Sequence, residues 1–220
     1  MPSPTRILTV VTPANSLWLV SLDAALDELG LTSDGGTKDS HVGRMIGQVS
    51  AAASTYCNRV FVRQSYRDQF RGVCWLSCGA PLVLSQMPIA VDGDGNLVLT
   101  ASEDGTAVDA AEWEVNRNAG TLYRLDSSGA SSSWSGTVVL VEYDAGFDLI
   151  PDDVQAAALR WLTLRHTTQG VQPGTGGLRT DEVPGVQRYD YFQTGGGSGS
   201  SAGVPPEISE MLGPYRIWSI

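Results

Sequence analysis

Apolar and polar positions change rhythm twice along the chain. Residues 5–20 carry a β-branched apolar run, ILTVVTPANSLWLV, interrupted by Pro13, Asn15 and Ser16, which predicts a short strand or extended arm. A helix follows over about residues 21–30. Ser21 suits its N-cap, Leu22, Ala25, Leu26 and Leu29 form its apolar stripe, and Gly30 suits its stop. A second helix is expected over about 39–58, where Val42, Met45, Ile46, Val49, Ala52, Ala53 and Tyr56 recur at spacings of three and four. Gly43 and Gly47 lie one turn apart on it. They suit close packing, either inside the chain's own core or against another helix.

From about residue 60 to 144 the period drops to two. VFVRQSYRDQF, LVLSQMPIAV, NLVLTA, WEVNR, GTLYRL and TVVLVEY are each bounded by Gly, Asp, Asn or Ser. Short strands at such spacing predict an antiparallel meander, sandwich or small barrel. The helical rhythm then returns over about 152–167. Pro151 suits a helix start, Asp152 and Asp153 complement the N-terminal dipole, and Val154, Ala157, Ala158, Trp161, Leu162 and Arg165 make one stripe. The predicted class is α+β: a bundle-like helical part with an inserted β-rich region. Residues 1–194 are expected to form a single body, and residues 188–193 contain a further strand candidate. GGGSGSSAG over 195–203 reads as a flexible linker. The segment 204–220 is apolar and aromatic again and is expected to be an extended C-terminal arm that docks. Its candidate interface residues are Ile208, Met211, Leu212, Tyr215, Arg216 and Trp218, types that anchor interfaces. The competing reading folds this segment back on the helix bearing Trp161.

Composition narrows the chemistry. The formal charge of −10 argues against a general nucleic-acid-binding surface, while remaining compatible with a passage through which DNA moves without sticking. No apolar run is long enough to span a bilayer, so no membrane partner is expected. Cys57, Cys74 and Cys78 are odd in number and lack a CxxC, so free thiols are expected. His41 and His166 are too few to complete an evident zinc site, and no metal or cofactor is expected. Asp92, Asp94, Asn96 and Glu103 fall at calcium-loop spacing, but Leu97 stands where that loop needs glycine. The Asp-Gly pair reads instead as a hairpin turn. Glu112, Glu114, Glu142 and Asp144 are the carboxylates from which a glycosidase pair would have to come, yet nothing in the pattern sets two of them face to face. No catalytic constellation is present in the sequence, and an enzyme is not expected.

The order of parts resembles the bacteriophage head–tail connector (adaptor) proteins, specifically the group with a β insertion between its helices. The resemblance is carried by SLDAALDELGL; by YCNRVFVRQSYRDQF; and by LVLSQMPIAVD, which lacks the first proline of the family's L-P-x-x-P-V strand entry. It is also carried by VEYDAGFDLIPDDVQAAALRWLTLRH and by the closing EISEMLGPYRIW. The resemblance implies a virion neck protein made in the host cytoplasm, with no catalysis or cofactor. Its copies would form a ring, usually dodecameric, beneath the portal protein. A downstream tail or stopper protein would attach to that ring, and DNA would pass through it. The loop 126–135 is a candidate tip contact for that tail protein. The six residues of the closing segment are then expected to meet the portal or a neighbouring subunit, and removing 204–220 is expected to detach the protein without unfolding its body. The alternative is a β-rich virion-decorating or carbohydrate-binding module using Trp113, Tyr123 and Trp134.

Overall fold

The structure is a computed structural model and describes residues 5–72, 79–169, 180–183, 187–190 and 203–217. It is mixed α+β, and the chain divides into two compact units. One comprises residues 1–17 and 59–151, the other 18–58 and 152–220. Residues 59–151 of the β-rich unit are thus inserted in sequence between helices of the second unit, while its first strand precedes them all.

In the β-rich unit, β1 (Thr5–Thr12), β2 (Gln64–Arg71), β4 (Leu99–Glu103), β5 (Thr106–Val108) and β9 (Val138–Ala145) form one sheet in the order β1-β2-β9-β4-β5. A second sheet holds β3 (Leu82–Val83), β7 (Thr121–Leu125) and β6 (Trp113–Asn116), with β8 (Ser131–Ser132) paired to β7. The order departs from a simple meander, because β9 enters between β2 and β4. Its alternation explains the central place. Val139, Val141, Tyr143 and Ala145 are all buried, and only a central strand with a fully covered face can use four such residues in register.

The two sheets share one apolar cluster, with Tyr66, Phe70, Leu99 and Val141 from the first and Leu82 and Leu122 from the second. Inside it lies Asp68, fully buried on β2. Its carboxylate accepts hydrogen bonds from Ser85 N at 2.7 Å, Ser85 Oγ at 2.6 Å and the Tyr143 hydroxyl at 2.9 Å. Three donors compensate the desolvation of a buried carboxylate. Burial, reinforced by Asp68, pushes the Tyr143 phenol far above its ordinary value. Burial raises Tyr66 to about 12.

The second unit contains α1 (Leu22–Leu29), α2 (Thr37–Cys57), α3 (Asp152–Gln169) and α4 (Pro206–Leu212), together with a hairpin of β10 (Thr180–Val183) and β11 (Gln187–Asp190). Helix α1 starts and stops as expected. Ser21 Oγ accepts from Ala24 N at 3.2 Å, and Gly30 takes the left-handed conformation at φ +64°. Helix α2 begins two residues before the expected Asp39. The side chain of Asp34 reaches forward and accepts from Gly36 N and Lys38 N, so the loop supplies the cap. Gly43 and Gly47 serve the chain's own packing. A Cβ at Gly43 would stand 3.2 Å from the Trp18 ring, and one at Gly47 would stand 3.6 Å from its Nε1.

Candidate assembly surfaces

The closing segment was expected as an extended arm, and over the described residues it is a helix. Pro205 and Pro206 fit its first turn, where a missing N–H costs nothing. Ile208 and Leu212, one turn apart, then fall on a single face. That face is used inside the unit, with Ile208 0% and Leu212 1% exposed. The polar contacts agree. The Tyr56 hydroxyl donates to Ser209 O at 3.2 Å, Ile217 N donates to Cys57 O at 2.9 Å, and Arg160 pairs with Glu207 at 3.0 Å. Beyond α4, the Tyr215 hydroxyl bonds both carboxylate oxygens of Asp153, at 2.7 and 2.8 Å, in the first turn of α3. The Arg216 guanidinium lies 5.2 Å from the centroid of the Tyr56 ring.

The six candidate residues are therefore separated by the fold. Ile208 and Leu212 hold α4 in place. Met211, Tyr215 and Arg216 remain half-buried, with surface turned outward. Trp218, and the linker reading of 195–202, lie outside the described residues.

The other chemical candidates are bound up in structural roles. Asp92 caps its own turn, accepting from Asp94 N at 3.0 Å and Asn96 N at 2.8 Å. The Asn96 N–H holds its carboxyl below the usual carboxylate range, and Val91 bridges Leu97 as in a hairpin. Glu142 pairs with Arg67 at 2.5 Å, Asp144 with Arg63 at 2.9 Å and Glu112 with Arg124 at 3.2 Å. Glu114 is exposed on β6. His41 lies on α2 with its Nδ1 3.5 Å from Arg44, and His166 lies in the last turn of α3. Cys57 is buried with its thiol donating to Leu212 O at 3.7 Å, while Cys74 and Cys78 lie outside the described residues. Among the described residues, no group of three or more His, Cys, Asp or Glu is placed to hold a metal ion, and no helix is long and apolar enough to cross a membrane.

The loop 126–135 is closed by Asp126, which accepts from Ser128 N, Ser128 Oγ and Ala130 N; the Ser128 hydroxyl is the foremost cause of its lowered pKa. Trp134 at its end is buried in the core, so the trio Trp113, Tyr123 and Trp134 presents no common binding face. Pattern reading missed the openness of β1, whose eight residues are all exposed. Its β-branched composition signalled a strand. Nothing local signalled that the strand would lie at an uncovered edge.

No family model matches the chain, and no curated protein matches it. The fold does have solved counterparts in gene transfer agent (GTA) particles. A chain in the neck of the empty GTA particle, computed with C6 symmetry, is 19% identical with a TM-score of 0.56. A chain in the native GTA virion is 15% identical with a TM-score of 0.56, and one in the native neck computed with C12 symmetry is 15% identical with a TM-score of 0.55. Each alignment covers 97% of this chain and 97% of the other. At this identity the likeness is one of fold. Because it runs nearly end to end, it includes the β insertion and the closing helix together.

Proposed function

We propose that this chain is a structural virion protein of the neck, a head–tail connector subunit without catalytic activity. Its copies form a dodecameric ring beneath the portal, a downstream tail or stopper protein binds the far side, and DNA passes through the centre. The observation that carries this reading is the full-length fold likeness to chains from GTA particle necks. The formal charge of −10 supports it, because an acidic lining does not trap a polyanion in transit. The docking surface on each subunit is the outward side of the closing segment, formed by Met211, Tyr215 and Arg216, and Trp218, two residues further along the chain, belongs to the same docking segment. Ile208 and Leu212 support it from beneath, and the stretch 195–203 acts as its tether.

The test is to mix the purified protein with the portal encoded beside it and to image the particles by electron microscopy. A ring of added density at the portal's narrow end is the expected result. A folded protein that leaves the portal bare at micromolar concentration would sink the reading.

A further inference from the structure

Strand β1 has a composition that its surroundings do not explain. Ile7, Leu8, Val10 and Val11 put apolar side chains on both faces, the pattern of a strand covered on both sides. Here Ile7 is 43%, Leu8 42%, Val10 46% and Val11 46% exposed.

The register shows where cover is missing. Leu8 stands opposite Asp68 and Val10 opposite Tyr66, so both continue the inner face of β2, whose residues there are buried. The Arg6 guanidinium donates to Val83 O at 2.9 Å, which draws that inner face toward the rim of the second sheet. The apolar core therefore stops one strand short, and Leu8 and Val10 stand open at its margin. Among the described residues, the outer edge of β1 is also unpaired. Its only charged residue is Arg6, already engaged with Val83 O, and the strand contains no proline. A register shift between Val10 and Thr12 interrupts only the last part of the strand, so the run from Arg6 to Val10 presents a regular edge.

Among the described residues, the same sheet has a second free edge, β5, with the sequence Thr-Ala-Val. Each neighbouring pair from β1 through β2, β9 and β4 to β5 is antiparallel. That makes four reversals, so β1 and β5 run in the same direction. Joining β5 of one copy to β1 of another makes a parallel ladder, and the same join repeats at every copy. Such a head-to-tail contact closes into a ring when the rotation permits. The alternative join, β1 to β1, stops at two copies and leaves each β5 open. In a chain of charge −10, two edge strands without an acidic residue also let copies meet without opposing like charges.

We infer that β1 is the seam between subunits: its free edge receives β5 of a second copy of this chain, so that the five-stranded sheet continues from one copy to the next. This inference rests on the ring reading above and names the surface that builds the ring.

The test uses the full chain with Cys74→Ser and Cys78→Ser. Single cysteines are introduced at positions 7–11 in one tagged population and as Ala107→Cys in another, with Leu149→Cys as a control on a side chain 87% exposed elsewhere. The two populations are mixed on the portal and oxidised. A disulfide between differently tagged copies, at one or two adjacent β1 positions and absent with the control, is expected. A second variant, Leu8→Lys with Val10→Lys, is expected to keep the wild-type thermal transition and to reduce ring occupancy on the portal at least tenfold. Ring density without the β1–Ala107 disulfide overturns the seam and leaves the ring reading standing. Disulfides only between two β1 strands overturn it in favour of an isologous pair. Wild-type occupancy by the lysine variant also overturns it. Failure of copies to associate at all overturns both readings.

Discussion

The Tyr143 hydroxyl donates to the Asp68 carboxylate at 2.9 Å inside the β-rich unit, joining adjacent strands from within the core. The same hydroxyl accepts from Gln86 N at 3.1 Å. Tyr143→Phe removes both bonds at nearly constant volume and is expected to destabilise the protein by about 1–3 kcal/mol. Asp68→Ala strands three donors at once and is expected to cost more, roughly 3 kcal/mol or above. Urea unfolding followed by fluorescence measures both. Equal stability of Tyr143→Phe and wild type would refute the role given to this pair.

Gly146 has φ +116°, and a Cβ there would stand 2.7 Å from the carbonyl carbon and oxygen of Val62. The close approach lets the chain leave β9 beside Phe61–Val62, where Phe147 N donates to Phe61 O at 2.7 Å. Gly146→Ala meets a disfavoured dihedral and a backbone clash together. An expected loss of about 3 kcal/mol is checked by the shift in the thermal transition. Gly95 also has positive φ, but open space surrounds it, so Gly95→Ala is expected to cost less.

Ile208→Ala opens a cavity in the helical unit and is expected to cost about 2–5 kcal/mol, whereas Met211→Ala, at a half-buried site, is expected to change stability little. Truncation of residues 204–220 is therefore expected to destabilise the helical unit as well as to remove the proposed docking surface. Only the contrast between variants separates the two effects. Differential scanning calorimetry of all three, alongside portal binding of Met211→Ala, makes that separation. A truncated protein with an unchanged transition would show that α4 contributes no packing.

Alkaline titration reports the buried phenols. Burial raises Tyr66 to about 12 and Tyr143 further, both from an ordinary value of 10. The folded state binds these protons more tightly than the unfolded chain. Their contribution to stability is complete below pH 10 and is lost as pH rises through the folded values. Two of the seven tyrosines should thus resist ionisation until the protein unfolds at high pH, read as a delayed, cooperative rise in tyrosinate absorbance. Non-cooperative titration of all seven near pH 10 would contradict the buried placement.

The helices were legible because their signals are local. A capping serine, a left-handed glycine and a stripe at three–four spacing act within a few residues of one another, so α1 falls within one residue of its expected bounds and α2 and α3 within two of theirs. The alternation of β9 and the hairpin at Asp92 were legible for the same reason. By itself the sequence determined the helix–strands–helix order and the lack of a catalytic motif. It did not determine partners. Only the tertiary structure placed β9 between β2 and β4, brought Asp68 to Ser85 and Tyr143, and used Ile208 and Leu212 inside the helical unit. An apolar side chain carries the same hydrophobic drive whether its own chain or another covers it. A stripe in sequence therefore announces burial without naming the burying surface. The open faces of β1 and the closed face of α4 differ only in what the rest of the chain brings against them.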